Sequence, residues 1–381
     1  MPVRRVYRST DTGAPVLSGS AGALTTLLDA ILVNGYATQA ISSMTSSSTT
    51  VTVTLASAHG WLKTAKVTIA GATETAYNGE FSVTVTGLNT FTYTALTTPS
   101  ASPATTSTSL TAKIAGSGWT TAFTGTNVRS YLQGATLGAG ATKYMFVDDT
   151  GTVTARFNGF ESQTSATMAG TGDFPTTAQQ SGGLYFVKSD TASTAARGWM
   201  AIATSSSIAI FLDSSATQGA SGNWYFFGDV APYLASDSYA CFIQGNTTTT
   251  VPSNNGHVTG GISSTQAGKY MCRGFLQSGT SLAVGSISDA NRGATYMGSG
   301  GIVYPSFDGG LYIAPVETCE TQPSTSNYGL RGLISGVWNP LHNKPFVHGD
   351  TINGAGALAG KVFQAFNFYT SAQALFEISD T

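Results

Sequence analysis

Charge is what this sequence has least of. Asp, Glu, Lys and Arg together make up 9% of 381 residues, against roughly 25% in ordinary soluble domains. The formal net charge is −2, and lysine and arginine form no cluster. A sequence-independent hold on nucleic acid needs several phosphate-neutralising cations on one face, so nucleic acid is excluded as a partner. Cysteine is almost as scarce: Cys241, Cys272 and Cys319 are far apart and no C-x-x-C occurs. That spacing offers no zinc site, and one thiol must stay free in any intramolecular pairing. All three read as buried free cysteines. Long apolar runs are missing too, and none approaches the roughly 20 residues of a membrane-spanning helix. "MPVRRVYRST" carries arginines with no apolar run behind them, which is not the pattern of a signal peptide. The expectation is a chain that folds in the cytoplasm, does not enter a membrane and leaves the cell by a route such as lysis.

Ser, Thr, Ala and Gly stand in place of the missing charge, with 45 glycines. Hydrophobic residues at 41% and aromatics at 10% still exclude disorder for most of the chain. The length allows a large core and two or more units. A polar, nearly neutral surface favours association over staying apart. It suits a subunit whose flanks meet neighbours; a secreted β-protein with a bland surface is the competing reading.

Residues 18–37 hold the best helix signal. Leu24, Leu27, Leu28, Ile31 and Leu32 mark one buried face, with Ser20 as the expected N-cap and Gly35 at the C-terminus. The first sixteen residues read as an extended arm that either reaches a neighbour or frays. "SSMTSSSTT" (42–50) and "TTPSASPATTSTS" (97–109) read as linkers around a period-two segment: "TVTVTLAS", "AKVTIAGA", "GEFSVTVTG" and "NTFTYTAL". From Trp119 onward strand follows strand between closely spaced turns, "GWMAIATSSSIAIFLD" being a hairpin and "AGKVFQAFNFYTSAQALFEIS" a closing one. The fold class expected is mainly all-β: a sandwich- or barrel-like main domain with one N-terminal helix and an inserted small β module. The division expected is 1–44 (arm and helix, part of the main domain), 45–114 (inserted module) and 115–381 (main β-rich domain).

Chemistry is hard to place on this chain. "NPLHNKPFVHGD" gathers His342, His348 and Asp350, but Pro340 and Pro345 restrict the curl that three metal ligands require. The segment reads as a turn. Asp148 and Asp149 are adjacent and suit a turn before Gly151, and Asp213, Asp229, Asp237 and Asp308 each sit near Gly, Ser or Pro. Nothing proposes the pair of carboxyls, about 5–9.5 Å apart, that glycoside hydrolysis needs. No nucleophile elbow, P-loop or dinucleotide fingerprint is present. Trp199 and the run Trp224, Tyr225, Phe226 and Phe227 could stack a sugar, but "NWYFFG" reads first as a core strand with one face exposed. The expectation is therefore no catalytic, cofactor-binding or metal-binding residues, no cofactor, and no enzyme.

"RVYRSTDTGAPVLSGSAGALTTLLDAILVNGY", "GWTTAFTGTN", "GDFPTTAQQSGGLYFVKS" and "WNPLHNKPFVHGDTINGAGALAGK" resemble a group of tailed-bacteriophage virion proteins. The pieces "HGW", "IAGA" and "YNGEFSV" are similar to a small β module of phage tail proteins. The resemblance implies a place in the particle (head decoration, collar or tail) and action by subunit docking. The partners it implies are other virion proteins and copies of the same chain. It brings no catalytic residues with it. The alternative is a receptor- or glycan-binding tail protein whose partner is a host-surface glycan.

Overall fold

The computed structural model describes residues 3–61, 65–216, 222–249, 267–287, 310, 312–321, 328–340, 346–368 and 372–379. About half of the chain is strand and only 6% is helical. The class is all-β in the main, with a large antiparallel sheet closing into a nearly complete barrel.

Strand β1 (Arg5–Arg8) is the first surprise. It pairs antiparallel with Trp199–Ala203 of its own chain, Arg5 opposite Ala203 and Arg8 opposite Met200. Tyr7 is buried, and its hydroxyl donates to the carbonyl of Ala115 at 2.9 Å. The arm expected to reach a neighbour or fray is, from residue 5 onward, an edge strand of its own sheet. Its alternation with Tyr7 inward explains why.

Arg4 ties this strand to the far end of the chain. It donates to Glu377 at 2.7 Å, and the Lys361 ammonium reaches the same carboxylate at 2.8 Å. Burial alone would raise the Glu377 carboxyl, but the hydrogen bonds from Arg4 and Lys361 outweigh it and hold the carboxyl below its ordinary value. A depressed folded-state pKa gives stability that is present above the unfolded value and lost as pH falls through the folded one. The hydrogen-exchange protection of Tyr7 and Ser9, whose amides face the Trp199–Ala203 strand, is therefore expected to fall several-fold on acidification below the usual carboxylate range. Glu377→Gln should remove that pH dependence; an unchanged acid response would refute the link.

Helix α1 (Ala23–Leu28) continues as a π-helical stretch, Asp29–Asn34. Leu24, Leu27, Leu28, Ile31 and Leu32 are all buried, as their spacing requires. Ser20 is not the cap. Gly22 holds the N-cap position at φ 80°, and the free amides of Leu24 and Thr25 donate to Asp149 at 2.7 and 3.2 Å. A carboxylate 125 residues away in sequence does what a local serine was expected to do. Gly35 ends the helical segment at φ 70°, packed against the carbonyl of Ile114 where no Cβ fits.

Seven strands follow in a second sheet: β2 (Tyr36–Ser47), β3 (Thr50–Leu55), β4 (Lys66–Ala72), β5 (Gly79–Ser82), β6 (Thr84–Val85), β7 (Thr90–Thr94) and β8 (Thr106–Ile114). "SSMTSSSTT" is no linker. Serine and threonine carry β2 into β3 through a two-residue turn at Ser48 (φ 54°), with Ser47 opposite Thr50. β-Branched threonine suits a half-exposed strand, and Met44 supplies the buried contact. The sheet thus begins at Tyr36, nearer the helix than the Ser-rich tract indicates. Val51, Val53, Val67, Ile69, Phe91 and Tyr93 form its interior, as period two predicts.

The remaining strands form the main sheet. The hairpin Trp199–Ala203 and Ser207–Asp213 is antiparallel as expected, and Ser207–Asp213 pairs with Gly222–Asp229. These last two strands are buried at every position. Alternate residues serve separate cores: Ile208, Ile210, Tyr225 and Phe227 pack toward the helix side, whereas Phe211, Trp224 and Phe226 pack beneath the C-terminal strands. "NWYFFG" therefore has no exposed face. The closing hairpin pairs Val362–Phe368 with Ala372–Glu377. The strand expected at "GGIVYPSF" lies outside the described residues.

Candidate functional site

Of the residues singled out for chemistry, Asp148, His348 and Asp350 hold turns, and most of the other described ones are buried. His342 and Asp308 lie outside the described residues. The His348 Nδ1 accepts from the amide of Asn367 at 3.4 Å, and its ring meets Phe366 edge-on at 4.6 Å. Asp350 accepts from the amide of Val347 at 2.8 Å, closing the loop. No cluster of three or more metal-ligating side chains occurs among the described residues. Asp148 accepts from the amide and hydroxyl of Thr150, a side-chain turn of the expected kind. Asp229 accepts from Gln133 at 3.1 Å and from the amide of Leu137 at 2.8 Å, and burial pushes its pKa up. Asp213 is buried. Trp199, Trp224, Tyr225, Phe226 and Phe227 are at most 3% exposed, so they offer no platform to a sugar. The three cysteines are buried and none forms a disulfide, and burial raises the thiol pKa of Cys241 and Cys272.

A different group stands out. Two neighbouring loops expose four large apolar side chains: Tyr233 and Leu234 on one, Phe275 and Leu276 on the other. Leu276 is 87% exposed. The loops are joined by Gln277, whose side-chain amide donates to the carbonyl of Ser236 at 3.1 Å. Both hang on one buried guanidinium. Arg331 donates through Nε to Asp237 at 2.9 Å and through Nη1 to Glu320 at 2.7 Å and to the carbonyl of Arg273 at 3.0 Å. Glu320 in turn accepts from the amide of Phe275 at 3.0 Å, and the amide of Tyr233 donates to the carbonyl of Arg331 at 3.0 Å. Beside them Arg273 makes a two-pronged pair with Glu161 at 2.6 and 2.9 Å and stacks over Tyr239 at 4.4 Å. This frame holds the backbone of both loops before anything binds, which lowers the ordering cost of association.

Sequence reasoning missed these residues. The available signal was an apolar pair inside a turn-rich stretch, "APYLASDS" and "RGFLQSG", where burial by a strand face is not on offer. The Asp237 partner of Arg331 could not be read, because it lies 94 residues away.

No family model and no curated protein sequence matches this chain. Among solved structures it is similar, weakly, to "Phage phi92 endosialidase", with a TM-score of 0.18 and 9% identity over 91% of this chain. The chain spans about half of that protein, 52% of its length. The expectation of a chain that is not an enzyme is corrected, since this neighbour is by its title an enzyme. A likeness this slight assigns no activity in either direction.

Proposed function

We propose that this chain is a structural component of a tailed-bacteriophage particle that docks to neighbouring subunits through the rigid loop pair 233–234 and 275–276. The observation that carries the reading is the exposure of Tyr233, Leu234, Phe275 and Leu276 together on loops anchored to one buried arginine. Aromatic and large aliphatic anchors at the centre of a contact supply most of its energy. The charged side chains beside them are already paired, Arg273 with Glu161 and Glu320 with Arg331, so no unpaired charge among them has to be buried on docking. The sequence resemblance to virion proteins points to the same setting, in which the neighbours are other particle proteins or further copies of the chain.

The test is a phage genome carrying Phe275→Glu and Leu276→Glu together. Both side chains are exposed, so folding should change by no more than about 0.5 kcal/mol each, checked by thermal melting of the purified chain. The expected result is purified particles depleted of this protein at least tenfold by quantitative mass spectrometry. Wild-type incorporation of the folded variant would overturn the proposal.

A further inference from the structure

A cleft of about 650 Å³ opens where β1, the seven-stranded sheet and the C-terminal hairpin meet. That volume falls within the roughly 300–1,000 Å³ of small-molecule sites. Its walls are mixed. Val6, Ile114, Val362 and Ile378 give apolar surface, and Arg4, Arg5, Arg8 and Lys66 bring cations to the same space. Most of these cations are engaged: Arg4 with Glu377, Arg5 with Glu80, and Lys66 with the hydroxyl of Ser82.

Arg8 is different. Its Nε is buried and has no hydrogen-bond partner, and its guanidinium makes no ion pair among the described residues. The bonds of Arg8 are made by its backbone: its amide donates to the Asp11 carboxylate at 2.8 Å and its carbonyl accepts from the Asp11 amide at 3.1 Å, while that carboxylate also accepts from the hydroxyl of Tyr36 at 3.0 Å. Burial lowers the pKa of Arg8, as expected for a cation withdrawn from water without a full counter-charge. Buried charges are normally paired, because the desolvation cost is otherwise left standing. A planar fork of donors matched to carboxylate and phosphate thus borders a ligand-sized space.

We propose that this cleft binds a small organic oxyanion, a carboxylate or phosphate on a ring-shaped or partly apolar body, with Arg8 as its charge partner. The anionic head pairs with the guanidinium, and the body lies along Val6, Ile114, Val362 and Ile378. The site shares no residue with the docking loops, so either proposal can fail without the other.

The test is calorimetric titration of the full purified chain with glucuronate, glucose 6-phosphate and glucose. The first two separate a carboxylate from a phosphate head, and the third lacks charge. At least one anionic sugar should bind tenfold or more tightly than glucose and raise the melting temperature. Arg8→Met should weaken that binding by about 10- to 100-fold. Arg8→Lys should recover part of it, since charge returns without the fork. Arg156→Met, on a strand outside the cleft, should leave it unchanged. Were Arg8→Met to fold poorly, competition by inorganic phosphate on the wild-type chain gives the second readout, with displacement of the anionic sugar expected. Equal affinity for glucose and both anions, no binding of any up to tens of millimolar, undiminished binding by a folded Arg8→Met, or no displacement by phosphate overturns the proposal.

Discussion

Arg331→Met is expected to lower the free energy of unfolding by roughly 3–5 kcal/mol, the cost typical of breaking a buried ion pair from one side. Arg331 is 1% exposed and its guanidinium meets Asp237, Glu320 and the carbonyl of Arg273. Methionine fills much of the same volume, so the loss is not a cavity effect. It comes from leaving Asp237, itself 2% exposed, without its cation. Arg331→Lys should recover little, because an ammonium cannot satisfy three acceptors held in the plane of a guanidinium. Asp237 also accepts from the amide of Tyr239, and the amide of Asp237 donates to the carbonyl of Leu234. Its displacement therefore loosens the very loop that presents Tyr233 and Leu234. The urea midpoint reports the stability change, and hydrogen exchange in 233–239 reports the loop. A midpoint within about 0.5 kcal/mol of wild type, the usual range for a surface substitution, would show that the arginine is not the anchor described above.

That coupling explains how the fold could be legible in the sequence while the site was not. Period-two alternation in "TVTVTL" and "NTFTYT" reports a buried face directly, and the structure buries Val51, Val53, Phe91 and Tyr93 accordingly. The helix likewise declares itself through Leu24, Leu27, Leu28, Ile31 and Leu32. These signals are local, and local spacing is all that a period measures. The Ser-rich tract 42–50 misleads because low complexity resembles a linker, whereas a strand needs only one inward side chain in two. "NWYFFG" misleads in the opposite sense. A strand with cores on both sides shows no alternation, so the run cannot say that Trp224 and Tyr225 face different interiors.

The interior charges were out of reach for a related reason. Each joins segments brought together only by the closed sheet: Arg331 with Asp237, Arg4 with Glu377, Arg273 with Glu161. In a chain with so few charges, several of those present are spent inside, on fixing which strand ends meet. Turn positions near Gly or Ser were the right expectation for Asp148 and Asp350. They were the wrong one for Asp149, whose neighbours in sequence give no hint of a buried lysine.

That lysine carries the other large expectation. Lys188 and Asp149 are both fully buried and paired, with the Lys188 ammonium also donating to the carbonyl of Ser20 at 2.6 Å. Asp149 simultaneously accepts from the first free amides of the helix. Burial raises the carboxyl pKa of Asp149 and lowers the ammonium pKa of Lys188, so each ion depends on the other to stay charged. Lys188→Met should therefore cost about 3–5 kcal/mol at neutral pH by stranding the carboxylate. The sign of the pH response follows. A carboxyl whose folded-state pKa is raised binds its proton more tightly when folded, so the deficit of the variant should shrink as pH falls from 7 toward 5. Asn at position 149 keeps an acceptor for the amides of Leu24 and Thr25 without the charge. The double variant Lys188→Met, Asp149→Asn should consequently be more stable than Lys188→Met alone, and its deficit should not vary over that pH range. Urea melts of the single and double variants at pH 7 and pH 5 decide the matter. A single-variant deficit that is independent of pH, or a double variant as unstable as the single, would mean that the helix start is held by packing of Leu24 and Leu27 rather than by the ion pair beneath it.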